Sequence, residues 1–131
     1  MFIDTSVIVA ILSKDPNATE LANRIEEAGP YRRTSALVLA VAAVRLSAKL
    51  GIDPVEIDKR IQALLIEAGI TLVPMDTITV SLAVQAFARY GKGRGHPAQL
   101  DLADCLSYAC AKAQGIPLLY KGKGFSHTDL G

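Results

Sequence analysis

At 131 residues, half of them hydrophobic and 21% charged, the chain is long enough for one domain with a real core and too apolar for disorder. A formal net charge of +1 excludes a protein drawn to nucleic acid or membrane by overall charge, so an anionic partner has to be held by a local patch. Met1 to Ser6 lacks a basic flank and meets an acid at position 4, unlike a targeting segment. The two cysteines, Cys105 and Cys110, have neither metal nor redox spacing and read as buried free thiols in a reducing cytoplasm. A single cytoplasmic domain over residues 1–131 is expected.

Met1 to Ile3 read as a buried strand that runs into Asp4, Thr5 and Ser6, and Val7 to Leu12 as a short apolar helix ended by Lys14-Asp15-Pro16. Leu21, Ile25 and Ala28 recur at helical spacing with Glu20, Arg24, Glu26 and Glu27 facing out, and Gly29-Pro30 stops this helix. Tyr31 to Thr34 suit a second strand, and Thr34 or Ser35 can cap a helix reaching about Lys49, closed by Gly51. Its apolar run, Ala36 to Val44, is far short of a membrane span and reads as a helix buried nearly all round. Asp53-Pro54 opens a fourth helix with the stripe Ile57, Ile61, Leu64, Leu65, ending at Gly69. Ile70 to Val73 form a third strand, Thr77 to Tyr90 a fifth helix, and Asp101 to Gln114 a last long helix. Between those two helices lies a glycine-rich loop, Gly91 to Gln99, which carries Lys92, Arg94 and His96. Leu118 to Tyr120 read as a fourth strand, and Lys121 to Gly131 as a polar, loop-like tail.

Strands alternating with helices along the whole chain predict an α/β fold with a parallel sheet and helices on both faces. In such sheets ligands bind beyond the carboxyl ends of the strands, where Asp4 stands, although Asp4 would equally serve as the N-cap of the following helix. In Asp101-Leu102-Ala103-Asp104 two carboxylates three apart share one face of a helix start. A capping role explains both, since negative charge suits a first turn. The chemical alternative is that Asp104 shares a cleft with Asp4, in which case a divalent cation would relieve their repulsion, and hard oxygen ligands select Mg²⁺ or Mn²⁺. His96 and His127 are too isolated for zinc or general-base chemistry and read as solvent-facing, with His96 a weak candidate for a phosphate contact. No phosphate-cradling glycine motif follows a strand.

MFIDTSVIVAIL at the start, TSALVLAVAAV in the middle, LDLADCLSYACAKAQGIPLLYKG near the end and FSHTDL after it resemble the PIN-domain ribonucleases of the VapC toxin type, end to end and with matching spacing. The resemblance implies a three-layer α/β/α sandwich with a short parallel sheet, a divalent-metal endoribonuclease (Mg²⁺ or Mn²⁺) acting on RNA, a homodimer and a cognate antitoxin. By position it assigns Asp4 and Asp104 as metal ligands, Asp101 as a neighbour of the catalytic site and Ser6 as the hydroxyl that supports the first ligand.

Two departures stand out against that family. An acidic residue is expected where Val41 stands, and an acidic or amide residue at one or both of Lys123 and Gly124. None of these can bind a cation, and Val41 is expected to put an apolar side chain into the cleft. The leading expectation is therefore a ribonuclease toxin of reduced activity, with Lys92, Arg94 and Lys121 as RNA contacts unless they are merely a solvated loop. The competing expectations are a catalytically silent PIN-fold module that still binds antitoxin or RNA and, more remotely, a receiver-like phosphoacceptor at Asp4. The apolar helix from Ser35 to Lys49 further predicts a surface covered in a homodimer.

Overall fold

Four strands of two residues each, β1 (Phe2–Ile3), β2 (Arg33–Thr34), β3 (Thr71–Leu72) and β4 (Leu118–Leu119), form one all-parallel sheet in the order β3-β2-β1-β4. The computed structural model describes residues Met1–Gly131. Six helices connect the strands: α1 (Thr5–Leu12), α2 (Ala18–Glu27), α3 (Ala36–Leu50), α4 (Pro54–Ala68), α5 (Thr77–Tyr90) and α6 (Leu102–Gln114). The chain winds from β1 outward to β3 and then returns to lay β4 on the other side of β1. Strand order thus reverses between β1 and β4, the place where open α/β sheets leave a crevice beyond the strand tips.

Helix starts follow the residues that can satisfy free amides. Ser35 accepts from the Val38 amide at 3.2 Å, Asp53 from Val55 at 2.8 Å ahead of Pro54, and Asp76 from Thr79 at 3.1 Å. At the end of α3, Gly51 takes φ 66°, a left-handed conformation that only glycine adopts without strain. The helices α1, α2, α3 and α4 pack together, while α5 packs on α6, which lies against β1 and β4, giving an α/β sandwich. Phe2 and Ile3 of β1 and Leu119 of the edge strand β4 are wholly buried, and they belong to one core cluster of 29 hydrophobic residues. No helix is long and apolar enough to cross a membrane.

Two features differ from expectation. The helix α3 is not buried nearly all round: Val38, Leu39, Ala42 and Leu46 face the core, whereas Ala40 is exposed and Val44 is 68% exposed. Its neighbours α1, α4 and α6 cover only one side of it. The segment after β4 is not a plain polar loop, because it forms a 3₁₀ turn at Phe125–His127 that drives Phe125 into the core. Asp129 then ties the tail down by accepting from the Tyr108 hydroxyl, from Tyr90 and from the Lys112 ammonium at 2.7 Å. Between α1, α2 and α4 lies an apolar groove of about 600 Å³ lined by Ile11, Leu12, Ala22, Ile25, Ala63 and Leu64 with charged residues at its rim.

Candidate active site

Asp4 leaves the carboxyl end of β1 with its amide donating to the Leu119 carbonyl of β4 at 3.0 Å, so the sheet ladder itself fixes its backbone. On the other side the buried Thr34 hydroxyl of β2 donates to the Ile3 carbonyl at 2.8 Å. Asp4 also caps α1: the Ser6 amide and hydroxyl donate to its Oδ2 at 3.0 and 2.6 Å. The same Ser6 hydroxyl oxygen accepts the Lys121 amide at 3.0 Å, linking the ends of β1 and β4 across the strand reversal. One carboxylate oxygen of Asp4 is therefore committed inside the protein. Its Oδ1 has no protein donor, yet it is not sealed from solvent.

Asp101 and Asp104 form a reciprocal capping box at the start of α6, with the Asp104 amide donating to Asp101 Oδ1 at 2.8 Å and the Asp101 amide donating to Asp104 Oδ2 at 3.0 Å. The capping role and the cleft role coexist, since Asp104 Oδ1 is left without a donor. Asp4, Ser6, Asp101 and Asp104 line one cleft of about 370 Å³ together with Arg45, Lys121, Lys123 and Gly124. Burial is the main cause that pushes the Asp104 carboxyl up to about 6, and the negative charges of Asp101 and Asp4 add to it, while the Asp101 amide acts the other way. Its charged form is disfavoured there, and a cation beside it would offset the burial and the like charges.

That electrostatic deficit, with one open oxygen on each of Asp4 and Asp104, suits a single hard divalent ion that keeps most of its waters. It does not suit a dehydrated, protein-enclosed ion, because no group of three or more Asp, Glu, His or Cys side chains is gathered in ligand geometry. The thiols do not contribute: burial raises Cys105 and Cys110 to about 11, with Asp104 and Asp101 adding to the effect at Cys105.

Val41 is half-buried on α3 and is absent from the cleft lining, contrary to the expectation that it faces the site. Arg45, one turn further along α3, reaches the cleft instead, with a guanidinium nitrogen 3.6 Å from Asp101 Oδ2. Its visible signal in the sequence was a lone charge ending an apolar helical run, four residues after the position where an acid was expected. Lys123 also lines the cleft, whereas the Lys121 ammonium is turned to Asp15. Lys92 and Arg94 sit in the turn after α5 and outside the cleft lining, and Arg94 Nε donates to the Ala88 carbonyl at 3.3 Å. His96 is partly buried rather than solvent-facing, edge-on to Tyr90 with its Nδ1 accepting the Ala98 amide at 3.1 Å.

Comparison with known proteins gives the same family along the whole chain. A profile of the PIN domain matches residues 1–130. A VapC ribonuclease of Rhizobium meliloti is 44% identical, with 99% of each chain covered. A VapC ribonuclease of Mycobacterium bovis is 37% identical over 99% of this chain and 96% of its own, and a ribonuclease VapC of Mycolicibacterium smegmatis is 38% identical over 99% and 97%.

Proposed function

The chain belongs to the PIN-domain family, among the VapC ribonucleases, and from that premise we propose that it is the toxin of a toxin and antitoxin pair, an endoribonuclease that acts with Mg²⁺ or Mn²⁺ at Asp4 and Asp104. The observation that carries this reading is that Asp4 and Asp104, a hundred residues apart, line one cleft at the strand reversal, where the Asp104 carboxyl is raised to about 6. A bound divalent cation supplies the activated water and the charge neutralisation that phosphodiester hydrolysis needs.

The chain's own residues do the positioning. Ser6 holds Asp4 Oδ2 and so leaves Oδ1 toward the cleft, while the Asp101 amide holds Asp104 in the same way. Asp101 is fixed by its cap and by Arg45, which leaves it beside the two ligands as a positioning residue rather than as a third ligand. With two carboxylates only, metal is held weakly and turnover is slow, since ligand charge count sets affinity for such ions. The partners are a cognate antitoxin protein and a second copy of the chain, in the cytoplasm, with residues 1–131 acting as one domain. The apolar groove between α1, α2 and α4 offers the antitoxin a surface for an amphipathic segment.

A second reading, a silent module that binds without cutting, is favoured by Arg45 and Lys123 in the cleft and by the lack of a three-ligand cluster. RNA cleavage in Mn²⁺ separates the two, and calorimetric titration of Mn²⁺ into the parent and into Asp104→Asn tests the metal site itself. Weak binding that Asp104→Asn abolishes supports the metal-dependent site. Equal binding by both proteins removes Asp104 from it.

A further inference from the structure

We propose that Arg45 and Lys123 make the cleft a binding site for a phosphodiester of single-stranded RNA that needs no divalent cation. The inference rests on RNA being the ligand of this cleft, but not on a metal being there. Three cations and three carboxylates line the cleft: Arg45, Lys121 and Lys123 against Asp4, Asp101 and Asp104. The donors of these cations are spent very differently. Lys121 is bound to Asp15, 106 residues earlier in the chain. Lys123 has no ion-pair partner, and its ammonium donates no hydrogen bond within the protein. Arg45 likewise donates none, and its approach to Asp101 at 3.6 Å is beyond hydrogen-bond distance, enough to hold the guanidinium over the cleft without using its donors.

The two cations with unspent donors come from separate elements, Arg45 from α3, ion-paired with Asp101, and Lys123 from the loop after β4, and both are exposed. A guanidinium offers a planar fork to two phosphate oxygens and an ammonium a compact point charge, the pair of chemistries that phosphate recognition uses. The acids opposite them are mostly engaged internally: Asp4 by Ser6, Asp104 by the Asp101 amide, and Asp101 by the Asp104 amide with Arg45 nearby. A backbone phosphate entering the cleft can therefore be met by two protein cations, where an all-carboxylate cleft would repel it until a metal bridged the two.

The test is fluorescence anisotropy with a labelled oligouridylate of about ten nucleotides in EDTA, for which each phosphate contact contributes about 0.7 to the slope of log K against log salt. The parent should bind in EDTA, and Arg45→Gln with Lys123→Gln should weaken binding about tenfold or more and flatten that slope by about 1.4. The conservative pair Arg45→Lys with Lys123→Arg should retain binding, and Lys92→Gln with Arg94→Gln should change it little. Circular dichroism melts verify that all variants fold. No binding by the parent in EDTA, or equal binding by the folded Gln pair, overturns the inference. Mn²⁺-dependent cleavage without EDTA binding would leave the ribonuclease reading standing and this one refuted. Binding in EDTA that the Gln pair abolishes, with no cleavage under Mn²⁺, would do the reverse.

Discussion

The Ser6 hydroxyl donates to Asp4 Oδ2 at 2.6 Å. Because Ser6 Oγ in turn accepts the Lys121 amide, one side chain fixes the first carboxylate and the loop after β4 together. Ser6→Ala should remove both bonds while leaving the capping amide in place, at a cost of about 1 kcal/mol. It should also weaken Mn²⁺ binding several-fold, because Asp4 Oδ1 is no longer aimed. Urea denaturation and calorimetric titration measure the two effects separately.

Asp104 gives the fold a pH signature. Its folded pKa of about 6 lies above the ordinary carboxylate value of about 3.9, so the folded chain holds a proton that the unfolded chain releases between those values. Stability should fall as pH rises through that window, with the penalty complete above it. Asp15, Asp76 and Asp129 are shifted downward, so their contributions are lost only at lower pH. In EDTA the melting temperature should therefore drop between about pH 4 and 6, and Asp104→Asn should flatten that drop. Added Mn²⁺ near neutral pH should raise the melting point of the parent more than that of the variant.

Of the two loop positions where an acidic or amide residue was expected, 123 takes one freely, whereas 124 takes one only if its neighbours give way. A Cβ at Gly124 would lie 3.1 Å from the Ala98 carbonyl oxygen and 3.4 Å from Leu100, whereas Lys123 is exposed. Lys123→Glu should fold like the parent and bind Mn²⁺ more tightly. Gly124→Asp should cost up to about 1 kcal/mol if the Ala98 carbonyl does not shift by a few tenths of an ångström. Thermal melts with calorimetry distinguish them.

Val41→Glu should also fold, for a reason that the helix pattern alone obscured. Leu37, Val41 and Val44 share a face, and the structure leaves that face partly open, with Val44 68% exposed. A glutamate at 41 stands four residues before Arg45, an arrangement worth about 0.3 kcal/mol on an exposed helix. Melting should change little, and because position 41 lies outside the cleft lining, Mn²⁺-dependent RNA cleavage should stay near the level of the parent. Unfolding without rescue by metal would make position 41 plain core.

The exposed apolar residues on α3 and on α5, where Val80, Val84 and Phe87 recur at helical spacing, support a homodimer. Light scattering at about 20 μM should give twice the chain mass, and a monomer there would count against it.

Much of this was legible from local chemistry. Hydroxyl and carboxylate caps, Pro54 and the glycines after helices marked nearly every boundary, while the meeting of Asp4 and Asp104 was implied by the family resemblance of their two blocks. What escaped depended on contacts between distant segments. Arg45 reads as a surface charge until α3 is laid beside the start of α6, and Lys121 reads as an RNA contact until Asp15 is found at its ammonium. Phe125 stands alone among polar residues, so no periodicity marked it as core, although it is 4% exposed. Phe125→Ala should cost about 3 kcal/mol in urea denaturation.

We propose that the cleft at Asp4 and Asp104 cuts RNA with a divalent cation. An RNA cleavage assay on antitoxin-free protein, with Mn²⁺ or EDTA and with Asp4→Asn prepared in parallel, tests it most directly. The parent should cleave slowly in Mn²⁺ and not in EDTA, and Asp4→Asn should not cleave. Cleavage that persists unchanged in Asp4→Asn, or no cleavage by the folded parent at any Mn²⁺ concentration, would contradict it.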